Sequence, residues 1–247
     1  MAELYLGTSG WHYDHWRGHF YPPGLPKTEW LAFYAKTFRT VEVNYSFYRL
    51  PPEKALAAWR DSTPAGFRFA VKISRLITHM KKLSDVSGLL DNFLARANML
   101  RDKLGPLLYQ LPPNLQPNEE LLESFLRTLP AGLKHVFEFR HTSWHKPAIF
   151  DLLRRYGAGF CVFDMPGLST PFEVTSGFAY LRFHGSASMY GGDYPDAELQ
   201  TWVERIASGT ERAGEIYIYF NNDAEGFAVK NALTLGRMLR DRTGITA

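Results

Sequence analysis

Charged side chains alternate with apolar ones in several short runs of the sequence and stand towards the ends of those runs. Because successive side chains of a β-strand point to opposite faces, each run would have one apolar face and one ionic face. Ionic groups are costly to bury without a partner, so we predict that they gather at a polar site near the strand ends. The four clearest runs are Val41-Glu42-Val43-Asn44, Phe69-Ala70-Val71-Lys72, Phe137-Glu138-Phe139-Arg140 and Leu181-Arg182-Phe183-His184.

Anion binding is the first chemistry that these residues suggest. Guanidinium and ammonium groups both suit phosphoryl oxygens. The Gly-Ser stretch after His184 offers backbone N–H donors as well. We therefore expect a small anionic or phosphorylated ligand, with nucleic acid as a further candidate partner. The cationic set is Lys72, Arg140, Arg182 and His184.

Two other chemistries remain open. Glu42 and Glu138 could be the paired carboxylates of a glycoside hydrolase, which must lie about 5–10 Å apart. Ion pairing with arginines would lower their pKa values and disfavour an acid role. A divalent metal is the second option, because carboxylates and histidine are common metal ligands. Its candidate ligands are Glu42, Glu138, Asp164, His184 and His79, although the His-Glu-x-x-His motif is missing and no cofactor is established.

Aromatic and polar residues crowd the predicted loops beside these charges, and their rings could stack on a base or a sugar. The candidate catalytic residues are Glu42, Glu138, Lys72 and His184. The candidate substrate-binding residues are Ser9, Trp11, Asn44, Tyr45, Gln110, Arg140, Trp144, Asp164, Arg182 and Asn221. The possible reaction is a hydrolysis. The alternative is a noncatalytic binding or scaffold protein whose charged interior is a self-neutralising structural network.

Eight strand candidates position these residues, and most are rich in β-branched or aromatic side chains. They are Leu4–Gly7, Thr40–Asn44, Phe67–Lys72, Leu107–Gln110, Val136–Phe139, Phe160–Phe163, Ala179–His184 and Ile216–Phe220. Helical patterns lie between most of them. These cover Thr28–Thr37, Pro52–Ser62, Val86–Leu104, Asn118 to about Leu129, Lys146–Tyr156, Asp196–Ala207 and Phe227–Arg240.

The interval from Met165 to Gly177 is the exception, because it contains two prolines and two glycines and no helical pattern. Alternating strands and helices favour a parallel sheet with right-handed crossovers. The Gly-x-Gly-x-x-Gly fingerprint of an open doubly wound sheet is absent after the first strand. We therefore predict a single α/β domain over residues 1–247, a (β/α)8 TIM-type barrel with an irregular sixth connection.

Strand parity sorts the inward-facing polar residues into two rings. The deeper ring comprises Glu42, Arg68, Glu138 and Arg182, and we assign it mainly to structure and orientation. The outer ring comprises Asn44, Lys72, Gln110, Arg140, Asp164, His184 and Asn221, and we assign it to the ligand. Barrel enzymes carry their sites at the carboxyl ends of the strands, which is where this outer ring would lie.

Composition sets the broad class. The chain has 247 residues, 45% of them hydrophobic, and a net charge of +3, which suits an anionic partner without requiring one. Cys161 is the only cysteine, so an internal disulfide is impossible, and its apolar surroundings predict an inert buried thiol. The N-terminus has no signal-peptide pattern, and no apolar run reaches the length of a membrane span. We expect a cytoplasmic protein without a membrane partner, and no protein partner can be inferred.

Several longer motifs resemble the YecE-like family of bacterial and archaeal proteins. They include Gly7-Thr8-Ser9-Gly10-Trp11, Val41-Glu42-Val43-Asn44-Tyr45-Ser46-Phe47-Tyr48, Glu138-Phe139-Arg140-His141 and Tyr180-Leu181-Arg182-Phe183-His184-Gly185. The resemblance spans nearly the whole chain and implies an eight-stranded TIM-type barrel. It supplies no established activity. A suggested link to DNA repair rests on similarity to metal-dependent barrel endonucleases, whose dense set of histidine ligands this sequence lacks.

Overall fold

The computed structural model describes residues 2–186, 188–211 and 213–245. Eight parallel strands form a nearly closed barrel in the order β1-β8-β7-β6-β5-β4-β3-β2, which confirms the predicted TIM-type fold. The strands are β1 (Glu3–Thr8), β2 (Thr40–Val43), β3 (Arg68–Lys72), β4 (Leu104–Leu111), β5 (His135–Phe139), β6 (Gly159–Met165), β7 (Phe178–Phe183) and β8 (Glu215–Phe220).

Helices follow most of the strands, and the longer ones cover the outside of the barrel, where they bury the apolar faces of the strands. They are α1 (Trp30–Tyr34), α2 (Tyr45–Tyr48), α3 (Glu53–Asp61), α4 (Ser87–Ala97), α5 (Glu119–Thr128), α6 (Pro147–Arg155), α7 (Asp196–Gly209) and α8 (Phe227–Thr243). The connection between β6 and β7 has no α-helix; its two-residue strand Leu168–Ser169 pairs antiparallel with β6. The predicted irregular sixth connection is therefore present. Within the described residues, no helix is long and apolar enough to cross a membrane.

One predicted helix boundary and one predicted strand boundary were wrong. The pattern over Val86–Leu104 predicted one helix, but α4 ends at Ala97 and a 3₁₀ helix follows over Asn98–Lys103. Leu104 then pairs with Phe69 and begins β4, three residues earlier than expected. Apolar spacing continues through the 3₁₀ segment, so periodicity alone does not show where the α-helix stops.

Side chains close the seam between β1 and β2. Between the described residues of these strands, backbone pairing is limited to an isolated parallel bridge at Ser9 and Glu42. The Tyr34 hydroxyl fills the gap: it accepts from the Thr8 N–H at 2.9 Å and donates to the Thr40 carbonyl at 3.1 Å. Gly7 permits this close approach, because a Cβ there would lie 2.2 Å from the Thr40 oxygen.

An aromatic layer fills the barrel beneath the charged residues. Tyr5 and Tyr217 stack with their ring centroids 4.7 Å apart, and Tyr180 and Tyr219 lie beside them. All four side chains are buried. The hydroxyl of Tyr219 is 2.7 Å from Thr40 Oγ1, which ties this layer to the seam. A ligand can therefore approach the charged residues only from the carboxyl ends of the strands.

The close packing at the seam predicts that adding one methyl group there would lower the stability of the protein. Gly7→Ala should lower the free energy of unfolding by about 1–3 kcal/mol, because the new methyl group overlaps backbone that cannot move away independently. Urea unfolding of the two proteins measures this difference. Gly88→Ala in α4 is the matched control, since a Cβ there meets no atom within 4 Å. A Gly7→Ala protein as stable as the control would contradict this account of the seam.

Candidate functional site

Arg182 holds together two strands on different sides of the barrel. Its Nη2 donates to Glu42 Oε1 at 2.7 Å, and its Nη1 donates to Glu138 Oε2 at 2.6 Å. Glu42 lies on β2, Glu138 on β5 and Arg182 on β7, and all three side chains are at most 1% exposed. Their neighbours along each strand point outwards into the helices, so strand alternation places these three inside. This confirms that they share the barrel interior.

Glu42 accepts a full set of hydrogen bonds. Besides Arg182, it receives the Ser9 hydroxyl at 2.7 Å, the Tyr180 hydroxyl at 2.7 Å and the Asn44 amide at 3.1 Å. Burial alone would raise the pKa of Glu42, but Arg182 and these hydrogen bonds outweigh burial and hold the pKa below its usual value. Glu42 is therefore an ionised, fully engaged carboxylate.

Glu138 is similarly engaged. Arg140 Nε donates to its Oε1, while Oε2 accepts from Arg182 and lies 3.7 Å from the Cys161 sulfur. Burial would raise the pKa of Glu138, but Arg140 and Arg182 hold it well below its usual value. Burial and the nearby Glu138 charge raise the pKa of Cys161 well above its usual value, so this buried thiol is unreactive.

His184 is buried and neutral. Arg140 Nη2 lies 2.9 Å from His184 Nε2, and Arg182 Nη1 lies 3.3 Å from the same atom. Because guanidinium groups only donate, Nε2 must accept and the proton belongs on Nδ1. Asn221 Nδ2 lies 3.1 Å from Nδ1; because Nδ1 then carries a proton, the Asn221 amide must turn its oxygen towards the imidazole to accept this hydrogen bond. Burial and Arg182 lower the pKa of His184 to about 3, so it does not supply the cation that the sequence suggested.

Lys72 stands apart from this ion-paired network. Its Nζ lies 4.3 Å from the centroid of the Phe47 ring, and within the described part of the chain no carboxylate approaches it within 4.0 Å. The charges of Glu42 and Glu138 are balanced by those of Arg140 and Arg182, so Lys72 is the surplus cation of this cluster. Burial and the charge of Arg182 lower the pKa of Lys72 to about 7.

Two of the predicted residues do not contribute to the site: one lies away from the mouth, and the other is already packed against the protein. Arg68 begins β3 and its guanidinium packs 5.8 Å from the Tyr5 ring, so it belongs to the opposite end of the strand from Lys72. Its assignment to the deeper ring was wrong, because strand alternation shows which face of the sheet a side chain is on but not how far along the barrel axis it lies. Trp144 is buried, stacks on Phe139 at 4.7 Å and donates to the Leu115 carbonyl at 2.7 Å. Its position does not support ligand stacking.

Asp164 and Gln110 lie at the rim. Asp164 Oδ2 accepts from the Tyr194 hydroxyl at 2.8 Å, and the same hydroxyl accepts from the Gly185 N–H at 3.1 Å. Asp164 thus anchors the loop after β7, and burial raises its pKa. Gln110 is half-buried at the end of β4, level with Glu138 on β5.

Sequence reasoning missed two residues at the site. Tyr180 was given no role, although its hydroxyl donates to Glu42. Phe47 was unremarked, although its ring faces the Lys72 ammonium. The parity of β7 could have indicated Tyr180, which lies two residues before Arg182. The position of Phe47 depends on the short helix α2, which the sequence pattern does not predict.

A cavity of about 720 Å³ opens beside the charged cluster, between the loops that follow β1 and β2. Trp11 and Trp59 meet edge to face on its wall, 5.1 Å between centroids, and Ser9, Asn44 and Tyr45 line it as well. Asn44 Oδ1 is buried and has no hydrogen-bond partner among the described residues. The cavity therefore joins aromatic surface to the polar edge of the network.

The predicted metal ligands do not assemble into a metal centre. Among residues 2–186, 188–211 and 213–245, no three His, Cys, Asp or Glu side chains are grouped so that they could hold an ion. His79 lies against the edge of Phe47 and contacts Thr78 Oγ1 at 2.9 Å, while Glu42 and Glu138 are committed to arginines. The donor set as arranged does not fit a divalent metal.

The fold and the site together define a TIM-type α/β barrel with an ion-paired interior that opens at the carboxyl ends of its strands. Residues 5–246 match the model of a protein family of unknown function, DUF72, and the chain belongs to that family. The predicted resemblance to YecE-like proteins is thereby confirmed.

Known relatives agree with this assignment. The chain is 24% identical to the UPF0759 protein YunF of Bacillus subtilis, over 96% of this chain and 94% of that protein. It is 32% identical to the UPF0759 protein YecE of Escherichia coli over 56% of this chain and 48% of that protein. A DUF72 family protein (TM1631) from Thermotoga maritima superposes with a TM-score of 0.88 and 31% identity, covering 96% of this chain and 99% of that one.

Removing the central arginine should destabilise the barrel severely. Arg182→Met leaves two buried carboxylates without their shared cation, so we expect the free energy of unfolding to fall by about 3–5 kcal/mol at pH 8. The freed carboxyl groups would have raised pKa values in the folded variant. Their contribution therefore favours folding at acidic pH and is lost as the pH rises, and the deficit against the unchanged protein should shrink towards pH 5.

Denaturant unfolding at the two pH values measures both effects. Arg242→Met is the matched control, because Arg242 pairs with Glu204 on the exposed surface and should matter little. If Arg182→Met were no more destabilising than this control, the central position of Arg182 would be refuted.

Proposed function

We propose that the mouth of the barrel binds a small ligand carrying an anionic group, with Lys72 as its cationic contact. The observation that carries the proposal is the surplus charge of Lys72. Glu42 and Glu138 are saturated by Arg140 and Arg182, so neither carboxylate is available to neutralise the lysine. An anion entering from the mouth would supply the missing negative charge.

Arg140 offers a second contact. Its Nε is committed to Glu138 and its Nη2 to His184, but its Nη1 faces the Met165 sulfur at 3.4 Å. A thioether is a weak acceptor, so this N–H gains by turning to an oxyanion instead. The Arg140 side chain is 7% exposed, whereas those of Arg182 and His184 are at most 1% exposed. We therefore assign direct anion contact to Lys72 and Arg140, and orientation to Arg182 and His184.

The neighbouring cavity supports an organic portion on the same ligand. Val43 pairs with Val71, so Asn44 and Lys72 are the next residues on adjacent strands. Asn44 Oδ1 would accept a ligand N–H or O–H, while the half-exposed ring of Tyr45 offers a face for a flat ring and the buried Trp11 contributes apolar wall. A phosphorylated or carboxylated compound with a ring or sugar fits this combination. Nothing in the arrangement favours an extended nucleic acid over such a compound.

The glycoside hydrolase alternative gains no support. A glycosidase needs one carboxyl group that is protonated at working pH, which requires a raised pKa. Glu42 and Glu138 share one arginine, and their pKa values are both lowered. A protein whose charged interior is only structural would have the same ion pairs. It would not bind an anion at the mouth, so anion binding distinguishes it from the proposed function.

Sulfate is a suitable first probe, because its charge is constant between pH 6 and pH 8. Binding should weaken by about tenfold over that range, since the ammonium fraction of a group with a pKa of about 7 falls in that proportion. The sign follows from the charge state: an anion favours protonated Lys72, so affinity is highest below pH 7. Calorimetric titration measures the affinity and the accompanying proton uptake.

Substitution of the lysine provides the second arm of this test. Lys72→Met should weaken sulfate binding at pH 6 at least about tenfold, because one direct charge-assisted contact is lost. Lys54→Met, on the exposed face of α3, is the matched control and should bind as before. Equal affinities in both variants, or no binding by the unchanged protein, would indicate that the charged interior is structural only.

A further inference from the structure

Among the described residues, Lys103 is buried and Lys72 is partly buried, and these two lysines differ in their partners. Lys103, 8% exposed, donates to the Arg60 carbonyl at 2.5 Å, the Thr63 carbonyl at 2.5 Å and Thr63 Oγ1 at 3.1 Å. It is a structural lysine whose ammonium is fully satisfied. Lys72 has no such set of acceptors among the described residues, and the face of Phe47 lies beside its nitrogen. Lys103 is thus committed to acceptors, whereas the Lys72 nitrogen is left available to a ligand.

We infer that Lys72 is a nucleophilic amine that captures an aldehyde or ketone group as an imine at the barrel mouth. The inference goes beyond anion binding and shares with it only the free nitrogen of Lys72. The nitrogen stands at the carboxyl end of β3, between an aromatic ring and a cluster containing two guanidinium groups. An amine attacks only through its lone pair, and burial and neighbouring cations both oppose protonation of that pair, whereas the Phe47 face attracts the ammonium form.

Burial is the main cause of the altered pKa of Lys72. Burial and the charges of Arg182 and Arg140 lower the pKa, and they outweigh Glu138 and Glu42, which raise it, so that the pKa is about 7. His79, whose ring meets that of Phe47 at 4.9 Å between centroids, has a pKa lowered to about 4 by burial and by Lys72, so it is neutral. About half of the Lys72 side chains are therefore amines at neutral pH, whereas an ordinary lysine with a pKa near 10.4 is less than about 0.1% amine.

The covalent step balances without an external oxidant or reductant. The lone pair of Nζ forms a bond to the carbonyl carbon, the C=O π bond breaks, and one of the nitrogen's protons moves to the oxygen to give a neutral carbinolamine. The hydroxyl then takes a proton from water at the open mouth, the C–O bond breaks and water leaves, while the nitrogen lone pair forms the C=N bond. The nitrogen keeps its remaining proton as an iminium, so one proton is taken up in total and the product carries the same single positive charge as the ammonium form of Lys72.

Reductive alkylation tests this inference directly. The protein is exposed briefly to acetaldehyde and cyanoborohydride at pH 7, and ethylated lysines are identified by peptide mapping. We expect Lys72 to react at least about tenfold faster than the exposed Lys36 and Lys54, given its larger amine fraction. The Lys72 rate should level off above about pH 7, whereas the exposed lysines should continue to accelerate to about pH 9. Lys72 reacting no faster than Lys36 would overturn the inference.

Two further arms separate this result from anion binding. Lys72→Arg keeps a cation at the site without a nucleophile, so it should lose the fast modification; an unchanged melting temperature verifies that it folds. Acetaldehyde carries no charge, so fast labelling of Lys72 without sulfate binding would support the nucleophile and refute the anion site. Sulfate binding with slow labelling would do the reverse. Glyoxylate, which carries both groups, should label Lys72 faster than acetaldehyde does if both proposals hold.

Discussion

The buried contact of Arg182 with Glu42 and Glu138 is the constraint on which the rest of the interior depends. Three charges without access to water must neutralise one another, because a single uncompensated ion in such a place would cost several kcal/mol. The guanidinium fork meets this demand by reaching carboxylates on two other strands, β2 and β5. One β7 side chain thereby sets the spacing across the barrel, and Arg140 then balances the remaining negative charge.

The layers on either side follow from this requirement. Below the charges, Tyr180 presents its ring to Tyr219 and its hydroxyl to Glu42, so it joins the aromatic filling to the ionic layer. Ser9 reaches Glu42 from the end of β1, beside the seam where backbone pairing between β1 and β2 is weakest. The carboxylate of Glu42 thus also helps to close the barrel. Above the charges, the free lone pair of His184 accepts hydrogen bonds from the guanidinium groups, so His184 has a structural role and is not available as a base.

Much of this arrangement could be predicted from the sequence, because alternation in a strand is a local property. The eight strands, the irregular sixth connection and the shared interior of Glu42, Glu138 and Arg182 all follow from periodicity and turn residues. The errors concern what periodicity does not contain. Arg68 lies on the predicted inward face of β3, but at the opposite end of the strand from the charged cluster. The ring of Trp144 is already packed against Phe139, and its N–H already donates to a backbone carbonyl. The charge state of His184 depends on distances to two arginines, which no pattern gives.

The surplus lysine gives the site two alternative chemistries that start from opposite protonation states of Lys72. An anion binds the ammonium form of Lys72 and draws a proton onto it, whereas a carbonyl compound is attacked by the amine form. With a pKa of about 7, the two forms are almost equally populated at neutral pH, so neither ligand must overcome a large protonation cost. Satisfying Lys72 with a buried carboxylate would abolish both chemistries. The saturation of Glu42 and Glu138 by arginine therefore does more than stabilise the barrel: it leaves the amine uncommitted at the one end that ligands can reach.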